Sequence, residues 1–194
     1  QIMEEIRQKK QRLLNFESIQ NVPLPKGIKA TLRPYQHSAF HWFYFLQEFG
    51  FGGCLADDMG LGKTLQVLCL LLNEKQNKKS CSLIVVPNSL LFNWQEEAQK
   101  FCPALKILLH HGTNRAKETK DYKAFDFILT TYGTLISDVK ILSSFQFNYV
   151  ILDESQAIKN PASMRFKSAS VLKSSHRLVL TGTPIENNTF DLFA

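Results

Sequence analysis

Cysteine is sparse: Cys54, Cys69, Cys81 and Cys102 are the only four in 194 residues, and no two form a C-x-x-C pair. Without paired thiol spacing there is neither a zinc ribbon nor a disulfide framework. Three of the four lie in apolar runs, so buried free thiols in a reducing compartment are expected. No run of about 18 apolar residues occurs, which excludes a membrane-spanning helix. The opening residues, QIMEEIRQKK, carry charge where a secretory signal needs an apolar stretch. Internal repeats are also missing. With 44% hydrophobic and 21% charged residues the chain is neither a disordered tail nor a low-complexity linker. Charge of one sign is only mildly in excess: 23 Lys+Arg against 17 Asp+Glu, a formal +6. That balance permits a polyanionic partner without establishing one. The lysine-rich stretches 73–80 and 114–123 read as solvated surface loops.

The length suits one compact domain. The chain starts at Gln1 and stops at Ala194 inside an apparent helix, as expected of a piece of a longer protein. Residues 1–20 read as a helical extension, with Ile2, Ile6, Leu13 and Phe16 on a weak amphipathic face. NVPLPKG (21–27) reads as a connector, and residues 21–194 as the domain. Tyr35–Phe49 holds Phe40, Phe43 and Leu46 at helical spacing, with its aromatics in the core. Strands are predicted at 51–56, 82–87, 105–110, 126–131, 149–154 and 177–183. Helices are predicted over 61–75, over 88–101 with Asn88 as cap, and over 161–173 with Pro161 in the first turn. His110 and His111 read as a strand end at the surface, with no metal assigned. Continuous apolar strands alternating with helices mean an α/β domain with a mostly parallel sheet covered on both faces.

The sharpest chemical signal is DDMGLGKT (57–64): G-K-T opening a helix after a strand is the phosphate-loop pattern. Gly60 and Gly62 let backbone N–H groups turn inward around phosphate oxygens. The helix that follows offers unpaired amides and a positive dipole end to the same anion. Lys63 can reach the β and γ phosphates, and the Thr64 hydroxyl can ligate Mg²⁺. The strict pattern would place glycine at 57, where this chain has Asp57. The second signal is VILDESQ (150–156), two acids at the carboxyl end of a strand, the edge where parallel sheets collect ligands. Asp153 can hold Mg²⁺ and Glu154 can act as general base towards water. LTGTP (180–184) closes another apolar strand, where Thr181, Gly182 and Thr183 can bond the acidic turn or form a plain turn of small residues. The phosphate loop followed by the acidic pair points to nucleoside triphosphate hydrolysis.

Six blocks in succession carry a closer resemblance: LRPYQ (32–36), LADDMGLGKTLQ (55–66), VVPNSLLFNWQEE (85–97), LTTYGTL (129–135), LDESQAIKNPAS (152–163) and LTGTPIENN (180–188). In this order they resemble the first RecA-like lobe of superfamily-two ATPases of the SWI/SNF type, whose members move along DNA. The resemblance covers residues 21–194 and implies a RecA-like phosphate-loop fold, ATP and Mg²⁺. It makes Asp57 the usual residue at its position. It implies that Gln36 reads the adenine edge, with Arg33 and Tyr35 beside the base or ribose. Asp58, Gly60, Leu61, Gly62, Lys63 and Thr64 would form the phosphate loop, with Thr64 and Asp153 on the metal and Glu154 as catalytic base. Thr181, Gly182 and Thr183 would couple hydrolysis to movement. Pro87, Asn88, Ser89, Thr130 and Thr131 would lie in the blocks that touch the backbone of double-stranded DNA, without reading bases.

The resemblance also implies a second RecA-like lobe supplying arginine fingers, so these residues alone would be nearly inactive as an ATPase. A strand-separating helicase and a non-hydrolysing DNA-binding scaffold are the alternatives. The block DESQ carries Gln156 where eukaryotic remodellers have histidine. That resembles bacterial members and gives a cytoplasmic expectation, or a nuclear one for a eukaryotic source.

Overall fold

Six strands and the helices around them build the domain. The computed structural model describes residues 19–182 apart from Met59, Lys78, Asn114 and Ala116, together with Arg7, Lys10, Gln11, Leu13 and Leu14. Those five early positions are helical, Leu13 partly buried and Leu14 exposed. Ile2, Ile6 and Phe16, named for the amphipathic face, lie outside the described residues, as does Thr183.

The elements run α1 Pro34–Phe49, β1 Gly53–Leu55, α2 Lys63–Gln76, β2 Ser82–Val86, α3 Leu91–Phe101, β3 Ile107–His110, β4 Phe127–Thr131, α4 Tyr132–Ser137, α5 Val139–Leu142, β5 Gln146–Leu152, α6 Met164–Ser170 and β6 Lys173–Leu180. Short 3₁₀ turns occupy Asn88–Leu90, Tyr122–Ala124 and Ser155–Ile158. The strands form one sheet in the order β1-β6-β5-β2-β4-β3, and every described pairing is parallel. Parallel strands buried on both faces must be apolar at every position. The runs Ser82–Val86 and Phe127–Thr131 are accordingly buried throughout.

The pleat divides each strand between two cores. Ile84, Val86, Leu129 and Ile151 face a cluster with Phe43 of α1, Leu68 and Leu71 of α2, and Trp94 and Ala98 of α3. Leu83, Val85, Ile128 and Val150 face Tyr132 and Leu135 of α4, Leu142 of α5 and Ala169 of α6. Helix α1 starts with Pro34 in its first turn and ends at Gly50, whose φ of 72° allows its N–H to close back on Leu46 and Gln47. Cys69, Cys81 and Cys102 are buried free thiols, as expected; burial pushes the first two up to about 12 and Cys102 to about 11. Such thiols are chemically quiet.

Several expected boundaries are corrected. Asn88 caps no helix. It opens a 3₁₀ turn after Pro87, and α3 begins at Leu91 without a side-chain cap. Pro161 precedes α6 rather than starting it. The cap is Ser163, whose Oγ accepts from the Phe166 N–H at 3.2 Å. The 161–173 helix ends at Ser170, and Lys173 already belongs to β6. His110 is fully buried rather than at the surface. The stretch 73–80 is partly the end of α2, where Glu74 is buried and Lys75 pairs with Asp126 at 2.7 Å.

Candidate nucleotide and DNA site

Because all six strands point the same way, their carboxyl ends share one edge, and every motif segment except LRPYQ, which opens α1 ahead of the first strand, lies at a strand end there. The phosphate loop leaves β1, residues 87–90 leave β2, Tyr132 and Gly133 follow β4, the acidic pair follows β5, and Thr181 follows β6. Thr181 N–H donates to the Leu55 carbonyl at 3.1 Å, tying the exit of β6 to that of β1.

In the phosphate loop, Gly60 and Gly62 have φ of 85° and 77°, the left-handed region that suits glycine. Gly62 also lies against Gln36. A Cβ there would stand 2.6 Å from Gln36 Nε2. Lys63 folds back onto its own loop, its Nζ donating to the Asp57 carbonyl at 2.7 Å and the Asp58 carbonyl at 3.1 Å. Asp57 has a second use: its carboxylate accepts from Gln66 Nε2 at 3.2 Å. The residue standing where the strict pattern has glycine thus braces the loop through both backbone and side chain. Leu61 is held through its carbonyl, which accepts from Tyr35 OH at 3.0 Å and Gln36 Nε2 at 3.1 Å.

Gln36 is buried, and its Oε1 accepts from the Arg33 N–H at 2.9 Å. Both ends of the amide are therefore engaged. One amide hydrogen and one lone pair remain for a base, and the amide clamps the loop to α1. Arg33, its side chain exposed, stands just before α1.

Asp153, 6% exposed, is gripped from three sides. Trp94 Nε1 donates to its Oδ2 at 2.8 Å, the Glu154 N–H donates to its Oδ1 at 2.8 Å, and Tyr132 OH donates to its carbonyl at 2.8 Å. Burial pushes its carboxyl above the ordinary range; these donors and the nearby Lys63 charge oppose that push. Lys63 and Asp153 are thus brought to one place, although the lysine is turned to its own loop. Glu97 of α3 borders the start of α2 beside Gly62 and Leu65, and burial pushes its carboxyl above the ordinary range. Sequence reasoning did not single out Trp94 or Glu97; their spacing of three along one helix was the signal that could have found them.

Glu154 has φ 49° and ψ 59°, the one non-glycine residue with positive φ among those described. Its Oε2 accepts from Gln156 Nε2, and Gln156 Oε1 in turn accepts from Thr181 Oγ1 at 3.3 Å. A continuous path therefore joins the acid at the end of β5 to the threonine at the end of β6. Gly182 follows it, partly buried.

Of the five residues expected along DNA, Pro87, Asn88, Ser89 and Thr131 line one cavity of about 970 Å³ that Glu154 also borders. Thr130 is not among them. It is fully buried, and its hydroxyl donates to the His110 carbonyl at 2.7 Å, so it ties β4 to β3 rather than meeting a ligand. Thr131 spends its side chain capping α4, accepting from the Thr134 N–H at 3.3 Å. His111, Arg115 and Arg165 line the same cavity and add positive or polar groups to it.

Residues 35–194 match the SNF2-related domain. The chain belongs to that family. Among SNF2-related proteins it is 41% identical over 188 residues to YwqA of Bacillus subtilis (strain 168), by name an ATP-dependent helicase/translocase, with 94% of this chain and 20% of that protein covered. It is 36% identical over 199 residues to the TATA-binding protein-associated factor mot1 of Schizosaccharomyces pombe, covering 95% of this chain and 10% of that protein. The solved Sulfolobus solfataricus SWI2/SNF2 ATPase core in complex with dsDNA matches with a TM-score of 0.81 at 45% identity, over 90% of this chain and 36% of that one. The SNF2-related chain thus spans about a fifth of YwqA and about a third of the archaeal core. Its parallel sheet with helices on both faces is the RecA-like arrangement the resemblance implied.

Proposed function

We propose that these residues form the ATP-binding lobe of a DNA-dependent ATPase that moves along double-stranded DNA or remodels protein–DNA complexes. The observation that carries the reading is the meeting, at one sheet edge, of the glycine-built loop with Lys63, the buried Asp153 and the Glu154–Gln156–Thr181 path. Family membership and the archaeal neighbour solved on dsDNA support it.

Among the described residues Lys63 donates to two loop carbonyls and to no carboxylate. A triphosphate offers it a better acceptor, so binding exchanges those two bonds for contacts to phosphate oxygens. The amides at the start of α2 face the same anion. Thr64 and Asp153 suit Mg²⁺: both are hard oxygen donors, and such an ion takes only one or two protein ligands beside phosphates and water. When bound, Mg²⁺ neutralises charge on the β and γ phosphates. Glu154, on the left-handed turn at the exit of β5, orients the attacking water and accepts its proton. Gln156 holds the Glu154 carboxylate and reports to Thr181. The duplex would lie against Pro87, Asn88, Ser89 and Thr131, which meet a backbone without reading bases. A second RecA-like lobe and a bacterial, cytoplasmic setting belong to the same proposal, the latter from Gln156.

Phosphate release by the full-length protein, with and without duplexes of unrelated sequence, tests the reading. Turnover is expected to rise with any duplex and to fall as salt displaces it. Turnover indifferent to DNA contradicts it.

A further inference from the structure

The two segments assigned to the DNA backbone do not end at the cavity. Each continues inward to a side chain that holds Asp153. From Asn88–Leu90, which lines the cavity, the chain runs directly into α3, and Trp94 reaches the Asp153 carboxylate. From Thr131, Tyr132 reaches the Asp153 carbonyl. Trp94 and Tyr132 are 1% and 3% exposed; Trp94 lies behind the cavity, and Tyr132 stands in its wall with its hydroxyl turned to Asp153. Both donate bonds whose acceptor is one residue. Three positions after Trp94, on the same face of α3, Glu97 borders the start of α2 beside Gly62 and Leu65.

We infer that Trp94 and Tyr132 are positioning residues that couple the duplex directly to the metal-ligating Asp153, by a route separate from the Thr181–Gln156–Glu154 path. A buried indole N–H has one bond to give, and a carboxylate fixed by it cannot turn without α3 moving. A duplex pressing on residues 87–89 and 131 shifts the N-terminal ends of α3 and α4, and Asp153 moves with them. The inference rests on the proposed function, since it needs a duplex at the cavity and a nucleotide at the loop.

The test is thermodynamic linkage in the full-length protein. The affinity for a non-hydrolysable ATP analogue with Mg²⁺ is measured with and without duplex DNA, and the duplex affinity with and without the analogue. Coupling must be reciprocal, and about 5- to 150-fold is typical. Tyr132→Phe removes one hydroxyl at constant shape, and Trp94→Phe removes the indole donor. Each is expected to lower the coupling factor at least about three-fold, the Thr181 path keeping the remainder, with the affinity for DNA alone unchanged in Trp94→Phe. Ala98→Gly, buried in the second half of the same helix and without a hydrogen-bonding side chain, lowers the melting temperature without changing the coupling. Wild-type coupling that survives in both Tyr132→Phe and Trp94→Phe overturns the inference and leaves the functional reading standing. A wild-type protein that binds neither ligand overturns both.

Discussion

The Lys63 ammonium lies 2.7 Å from the Asp57 carbonyl oxygen and 3.1 Å from that of Asp58, so the cation at the heart of the phosphate loop is turned onto the loop itself. Its role in folding is slight, because the group is partly exposed and its acceptors can be served by water. Its role in binding is large. Lys63→Ala is expected to weaken ATP binding roughly ten- to hundred-fold, the worth of a charge-assisted hydrogen bond to phosphate, with little change in melting temperature. Isothermal titration beside a thermal melt separates the two effects. A large loss of stability with affinity intact would contradict the assignment.

Glu154 occupies the left-handed region at φ 49° with a side chain that gains nothing there sterically. Glu154→Gln should keep ATP binding and lower hydrolysis by at least about 10²-fold, the usual contribution of a general base. Glu154→Gly should be equally inactive but up to about 1 kcal/mol more stable, because glycine removes the left-handed penalty. Rate and denaturant midpoint, measured on both variants, check the pair. Equal destabilisation by glycine would show that the backbone there is not strained.

Gly62 combines φ of 77° with Gln36 Nε2 only 2.6 Å from where a Cβ would stand. Gly62→Ala should therefore cost about 1–2 kcal/mol from backbone conformation alone and also push Gln36 off the Leu61 carbonyl. Adding Gln36→Ala relieves the collision but not the backbone term. The double variant is expected to lose less than the sum of the two singles. Additive losses in a double-mutant cycle would contradict the contact.

Burial lowers the pKa of His110 from its ordinary 6.5, against the pull of Asp138, 2.9 Å away, which raises it. Its Nδ1 has no partner among the described residues, so a proton there would be buried without an acceptor. Burial lowers His176 too. The unfolded chain then binds more protons than the folded one just below pH 6.5, and stability must fall as pH drops through that window. Melting temperature against pH from 7.5 to 5 should show this decline. His110→Gln, which keeps a donor for Asp138 but cannot titrate, should flatten part of it. An unchanged slope would assign the effect elsewhere.

The nearly continuous apolar strands were legible because burial on both faces leaves no room for alternation, as in Leu83–Val86. The first halves of β5 and β6 were not. Gln146 is exposed and Lys173–Arg177 alternates between exposed and partly buried, so polar residues are tolerated there and the apolar run is lost. Helix α4 hid behind Gly133 and its own shortness; what holds it is the Thr131 cap and the burial of Tyr132 and Leu135, neither of which is a local signal. His110 looked like a surface strand end because Asp138, its covering partner, lies 28 residues further on. At the site, the phosphate loop and the acids could be read from residue type and spacing. The grip on Asp153 could not: Trp94 stands 59 residues before it, and only the fold brings the two together.

The central claim is that Lys63, Asp153 and Glu154 serve one bound triphosphate under the control of duplex DNA. The most direct test is steady-state ATP hydrolysis by the full-length protein and its Glu154→Gln variant, each with and without a DNA duplex. The account predicts DNA-stimulated turnover in the first and ATP binding with no turnover in the second. Hydrolysis that persists undiminished in Glu154→Gln, with the duplex present or absent, would contradict it.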